Sequence, residues 1–181
     1  MFGTLKNAVS ASEGNRFRRA AWCGVAVVAL HNAEEALTIP AWLPPRLSTL
    51  AADFGIRPFA VDVERLYAGL LMATVVPLAW VAFAVRSAPR STGAHSIFVL
   101  YGVFCANAFV PHLLGVLLLR EYVPGAITAG LLVVPYTAWL SRRALVERYV
   151  SRRGLIVALG VAITAYVPAC VALLRVRSVG L

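Results

Sequence analysis

The chain has 181 residues, of which 60% are hydrophobic and only 14% charged, with a formal net charge of +9 and a mean hydropathy of +0.78. An ordinary soluble domain carries about 25% charged residues, so the composition excludes that class and points to an all-α integral membrane protein. The excess of positive charge is read below as a topology signal, and nucleic acid is not expected as a partner.

A bilayer core of about 30 Å takes roughly 20 helical residues, and a lipid-facing span must be helical because an open strand edge would leave backbone groups unsatisfied. Residues 1–19 read as a basic N-terminal leader, mobile or interfacial, followed without a convincing cleavage site by a retained first span, Ala20–Thr38. The long connection "PAWLPPRLSTLAADFGIRPFAVDVERLY", with its prolines, Trp42 and Phe59, predicts a partly ordered interfacial loop that caps the bundle. Further spans are expected at Leu66–Val85, Ser96–Leu119, Pro124–Leu140 and Leu155–Leu174. The connection Arg120–Val123 is so short that the third and fourth spans must be antiparallel neighbours. The expected architecture is thus a five-helix transmembrane bundle over residues 20–175, with a short tail at 176–181. Four spans carry an interior proline, Pro77, Pro111, Pro135 and Pro168, and each removes a backbone donor and bends its helix. Cys23, Cys105 and Cys170 lie in three different spans without metal or redox spacing and read as small core residues.

The basic residues follow topology. Lys6, Arg16, Arg18, Arg19, Arg86, Arg90, Arg142, Arg143, Arg148, Arg152 and Arg153 fall on one side, and Arg46, Arg57, Arg65, Arg120, Arg175 and Arg177 on the other. The positive-inside rule then puts the N-terminus in the cytoplasm and the C-terminus outside. "SRRALVERYVSRR" is read as part of this signal, with anionic-lipid contact as a secondary use.

Against this apolar background the first span contains "HNAEE". His31, Glu34 and Glu35 stand at i, i+3 and i+4, on one helical face. An acidic residue at the centre of a membrane helix costs about 2.5–3.5 kcal/mol on insertion scales, while each good apolar residue returns about 0.3–0.6. Such a face turns inward and finds partners. Counting about 1.5 Å per residue, Asn107 matches the depth of His31, and His112 that of Glu35. Thr128 and Tyr67 fall near the same outer level. Asn107 and His112 are about 140° apart on an ideal helix, so a distortion at Pro111 would help both to face one pocket.

These residues, with the elements "NAFVPH" and "PGAIT", resemble the HXXEE domain family of bacterial membrane proteins. The likeness extends from about Leu30 to Pro135 and includes His31, Glu34, Glu35, Asn107, His112, Pro124, Gly125 and Thr128. It implies a multi-pass protein of the bacterial inner membrane with an enzymatic site at those positions, and it leaves the reaction open.

Three chemistries fit. The first is acid–base catalysis on a lipophilic, isoprenoid-like substrate, an isomerisation or cyclisation with His31, Glu34, Glu35, Asn107 and His112 as catalytic residues and Tyr67, Gly125 and Thr128 contacting substrate. Two adjacent carboxyls in a poorly hydrated site do not both ionise, which leaves a proton donor beside a base. No cofactor is required. The emopamil-binding sterol isomerases are similar in architecture and in combining intramembrane His, Glu and Asn. The second is a zinc or iron site built from His31, Glu34, Glu35 and His112, supporting a hydrolase or an oxidoreductase. The third is not enzymatic: a proton-coupled carrier, which without internal repeats would need homo-oligomerisation, or a lipid-binding protein.

Overall fold

Long apolar segments with few breakers favour helix, and no strand occurs among the described residues. The computed structural model describes the backbone of residues 2–54 and 62–179, and the side chains of 16–53, 62–166 and 168. Helix α1 (Phe2–Trp42) starts well before Ala20. Phe17 is fully buried, stacked on Tyr149 with ring centroids 3.9 Å apart and tilted against Phe98 at 6.0 Å. The packed body therefore begins inside the segment expected to be a leader, because an aromatic ring there has a core to fill.

Leu43-Pro44-Pro45 ends α1, since proline lacks the amide and restricts the residue before it, and a turn at Pro44–Arg46 leads into α2 (Leu47–Phe54). Phe59 lies outside the described residues. Helix α3 (Val63–Ala84) is capped by Asp62, which accepts from the Arg65 amide at 3.1 Å, and α4 (Thr92–Asn107) by Ser91, which accepts from the Ala94 amide at 3.2 Å. The helix after Asn107 is broken at Val110, which is extended (φ −132°, ψ 114°), and resumes as α5 (Leu114–Leu119). This is the distortion expected at Pro111, displaced to the residue before it. The chain then forms α6 (Ala126–Thr128), widens over Ala129–Val133 ahead of Pro135, and continues as α7 (Val134–Val146) and α8 (Arg152–Val179).

Contacts between connections show how the helices alternate. Arg46 grips Glu121 through Nε and Nη2, at 2.6 and 3.0 Å, joining the first and third connections at one end. The Arg90 amide donates to the Tyr149 carbonyl at 2.8 Å, joining the second and fourth at the other. Hydrogen bonding from Arg46 holds the Glu121 carboxyl below the ordinary glutamate range. That pair therefore contributes at neutral pH and is lost only as the pH falls through this lowered value.

Helix α4 packs chiefly on α8, and α1 on α3. Ile97, Phe98, Tyr101, Val28, Val81 and Leu140 fill the core. Gly24 makes room for the Tyr101 side chain of α4: a Cβ there would lie 2.3 Å from the ring, whose hydroxyl donates to the Ala21 carbonyl at 2.6 Å. Cys23, expected in the core, is exposed; Cys105 is half-buried. The outer surface is apolar, with Leu37, Phe83, Leu117 and Leu131 all more than two-thirds exposed. Among the described residues, two helices, Val63–Ala84 and Thr92–Leu119, are long and apolar enough to cross a membrane.

Candidate functional site

The face that carries His31 and Glu35 on α1 meets the broken helix and the start of α6. His31 is fully buried, and His112, on the turn leading into α5, nearly so. Their rings meet edge-on with centroids 4.8 Å apart. The break at Val110 lets Asn107 and His112 face the same point, and the Asn107 amide nitrogen lies 3.0 Å from His112 Nε2 and 3.4 Å from His31 Nε2. Tyr166 on α8 fixes that amide: its hydroxyl lies 2.9 Å from Asn107 Oδ1 and also against the Val110 carbonyl freed by the break.

The partners of the two imidazoles assign their tautomers. His112 Nδ1 lies 2.6 Å from the Pro124 carbonyl, an acceptor only, so Nδ1 carries the proton. His31 Nδ1 lies 2.8 Å from Thr128 Oγ1, and the Thr128 hydroxyl donates to Glu34 at 2.5 Å, so it accepts from His31. Both rings thus turn an Nε2 lone pair inward. Glu35 Oε1 stands 3.2 Å from His112 Nε2, whose lone pair the Asn107 amide nitrogen also faces at 3.0 Å.

Glu34 and Glu35, adjacent in sequence, are separated by environment. Glu34 accepts from the Tyr122 hydroxyl (2.7 Å), the Ile127 and Thr128 amides (3.3 and 2.8 Å) and the Thr128 hydroxyl. It is held as an acceptor at the start of α6, where backbone donors have no helical partner. Glu35 faces His112 and one wall of a cavity of about 360 Å³. Gly125 is central to this arrangement. It has φ +83°, and a Cβ there would lie 2.7 Å from His112 Cε1 and 3.0 Å from His31 Cε1. Thr128→Val, which cuts the Glu34–Thr128–His31 chain, is expected to destabilise the protein by about 1–3 kcal/mol, with Thr128→Ser recovering most of it. A denaturant titration that finds valine equal to threonine contradicts the bridging role.

The structure therefore brings His31, Glu34, Glu35, Asn107, His112, Gly125 and Thr128 together, and leaves Tyr67 outside. Tyr67 is 47% exposed at the start of α3. The reason is the helical face: α3 packs against Asn32, which is about 100° around α1 from His31 and donates to Thr74 Oγ1 at 2.8 Å. Sequence reasoning missed Tyr122, Tyr166 and the Pro124 carbonyl. The depth count that matched Asn107 to His31 also fits Tyr166, eleven residues beyond Leu155, and a tyrosine in an apolar helix needs a partner for its hydroxyl. A backbone carbonyl such as that of Pro124 leaves no sequence signal.

Ligand atoms of His31, Glu35 and His112 all lie within 4.8 Å of one another, which makes them, among the described residues, the group that could hold a metal ion. Glu34, expected in that set, is occupied elsewhere. No solved structure matches the chain. An uncharacterized protein of Bacillus subtilis (strain 168), YrkK, is 27% identical over 145 residues, which cover 78% of this chain and 86% of that protein. The model for "Protein of unknown function with HXXEE motif" matches residues 22–140. That match takes in every side chain of the cluster except Tyr166, and the chain belongs to this HXXEE family.

Proposed function

We propose that the chain is a multi-pass membrane enzyme with five spans, its N-terminus cytoplasmic and its C-terminus outside, that isomerises or cyclises a lipophilic, isoprenoid-like molecule by proton transfer. The apolar outer surface, the two long apolar helices and the asymmetry of basic residues support the membrane reading. The observation that carries the chemical reading is the contact between Glu35 Oε1 and His112 Nε2 beside an apolar cavity. With Nδ1 of His112 committed to the Pro124 carbonyl, Nε2 is left as the acceptor, and in this reading it takes a proton from Glu35 in exchange with the Asn107 amide that also faces it.

The protonated carboxyl of Glu35 delivers its proton to one carbon of an alkene, whose π electrons form the new C–H bond and leave a cation on the neighbouring carbon. His112 Nε2 then removes a proton from an adjacent carbon, restoring a double bond at a new position or after ring closure. The proton returns across the 3.2 Å contact to Glu35. Nothing is oxidised or reduced. His31 and the Asn107 amide hold the His112 ring in place, and Glu34 holds Thr128 and, through it, His31. The test needs no known substrate. Protein in vesicles with a total lipid extract in D₂O should place carbon-bound deuterium in a specific lipid species; absence of such labelling opposes the reading.

A second reading has its own observation: both imidazoles present Nε2 inward with Nδ1 held by a second partner, the usual support of a metal-bound histidine. Zinc would supply a Lewis acid or an activated water. Tetrahedral zinc with bonds of about 2.0–2.1 Å sets its ligands about 3.3 Å apart, so the widest pair here must close by more than an ångström. Elemental analysis of protein purified in mild detergent is expected to give well under one zinc or iron per chain; a stoichiometric metal replaces the proton mechanism with this one.

A further inference from the structure

The cavity beside Glu35 and His112 has two boundaries of different make. On one flank its wall belongs to the molecular surface: Val110, Leu114 and Leu118 line it and are 47%, 40% and 56% exposed, on the apolar outer face of the broken helix. At the end of the bundle where the first and third connections meet, it is closed by Leu43 and by Leu50 of α2. None of residues 43–53 is buried, and α2 packs chiefly on the turn before it. A segment with so few buried apolar contacts opens locally at low cost.

Arg46 ties this roof down. Its guanidinium donates to the two Glu121 oxygens at 2.6 and 3.0 Å and to the Trp42 carbonyl at 3.1 Å, and it stacks over the Trp42 ring at 4.9 Å from the centroid. The link runs from the turn before α2 to the third connection, where Leu119 and Val123, two residues either side of Glu121, both line the cavity. It therefore spans the closed end. Both side chains are more than one-third exposed. A two-armed pair has a defined geometry, yet at that exposure it is weak enough to open thermally. Those are the properties of a latch and not of a core contact.

We propose that residues 44–54 are a gate, latched shut by Arg46 and Glu121, that keeps water at this end of the bundle from Glu35 and His112 while the flank at Leu114 and Leu118 stays open to the bilayer. The inference rests on the proposed function for the membrane around that flank, and goes beyond it in assigning the site an entrance and a seal. The proposed chemistry gives the seal a use. Water beside Glu35 would capture the carbon cation formed by protonation, and a closed site prevents that side reaction.

The gate is tested by thiol accessibility in the full chain held in lipid nanodiscs. Ile39→Cys places a reporter in the cavity wall on α1, and Ser48→Cys, exposed on α2, serves as the reference in each background. Modification is read by mass spectrometry of the peptide carrying the introduced thiol. With Arg46 and Glu121 in place, methyl methanethiosulfonate, uncharged and lipid-soluble, should modify position 39, while the anionic sulfonatoethyl reagent should modify it about tenfold more slowly than position 48. Arg46→Glu sets two carboxylates against each other and should speed the anionic reaction at 39, relative to 48, about fivefold. Adding Glu121→Arg should restore the original ratio. Equal anionic rates at 39 and 48 with the latch in place, no acceleration by Arg46→Glu, an acceleration that Glu121→Arg does not reverse, or no reaction of 39 with the uncharged reagent overturns the proposal. Because the readout is access and not turnover, such a failure leaves the deuterium test of Glu35 and His112 unaffected. Conversely, a latch that behaves as expected without deuterium labelling retains the gate and removes the chemistry.

Discussion

Glu35→Gln is expected to reduce deuterium transfer into lipid by about 100- to 10,000-fold, the range typical of losing a positioned acid or base, with little change in stability. The substitution keeps the size of the side chain and its place beside His112, but an amide cannot deliver and recover a proton. The Gln amide stays within 3.2 Å of His112 Nε2 with the same bulk, and a net change of about 0.5–1.5 kcal/mol, that of one hydrogen bond, bounds the effect on folding. Glu34→Gln provides the contrast. The Glu34 carboxylate accepts from four donors, and an amide turns a donor towards at least one of them. Its principal effect should be on stability, with labelling reduced in proportion to folded protein. If Glu35→Gln labels lipid at the wild-type rate, the carboxyl at 35 is not the proton donor.

The largest structural effect is expected at Gly125. An alanine at φ +83° costs about 1–2 kcal/mol in the left-handed region. Its Cβ would also lie 2.7 and 2.8 Å from Cε1 and Nδ1 of His112 and 3.0 Å from Cε1 of His31. Neither ring can retreat freely: each is buried and held through Nδ1, by the Pro124 carbonyl and by Thr128. Overpacking of this kind adds about 1–3 kcal/mol, so Gly125→Ala should lose about 2–5 kcal/mol in a denaturant titration. Gly160→Ala is the control. Nothing lies within 4 Å of a Cβ there, and replacing a glycine inside a helix should stabilise by up to about 1 kcal/mol. Similar stability of the two variants would contradict the packing around Gly125.

Much of this arrangement was legible because spacing fixes which residues share a helical face. His31, Glu34 and Glu35 had to point the same way, and matched depths joined them to Asn107, His112 and Thr128. The need for a bend near Pro111 followed from the angular separation of Asn107 and His112, and the extended Val110 supplies it. Spacing could not divide labour between the two glutamates. Glu34 became a fixed acceptor because the amides of 127 and 128 reach it, while Glu35 lies beside His112. Those are facts about backbone direction in another helix. Tyr67 was misplaced because depth alone does not say which face of α1 its helix covers; the Asn32–Thr74 contact decides that. The early start of α1 was hidden by charge, since Arg16, Arg18 and Arg19 made the segment read as an unpacked leader, while Phe17 between them anchors it.

The chemical reading depends on a single meeting point, where a carboxyl from α1 and an imidazole from the broken helix are proposed to share a proton. Nitrogen-15 NMR of histidine-labelled protein in lipid bilayers observes it directly. The signal of His112 should show a protonated Nδ1 and an Nε2 in a strong hydrogen bond, and Glu35→Gln should shift Nε2 while leaving Nδ1 in place. An Nε2 signal indifferent to the residue at 35, or a His112 protonated on Nε2 alone, would contradict that shared proton.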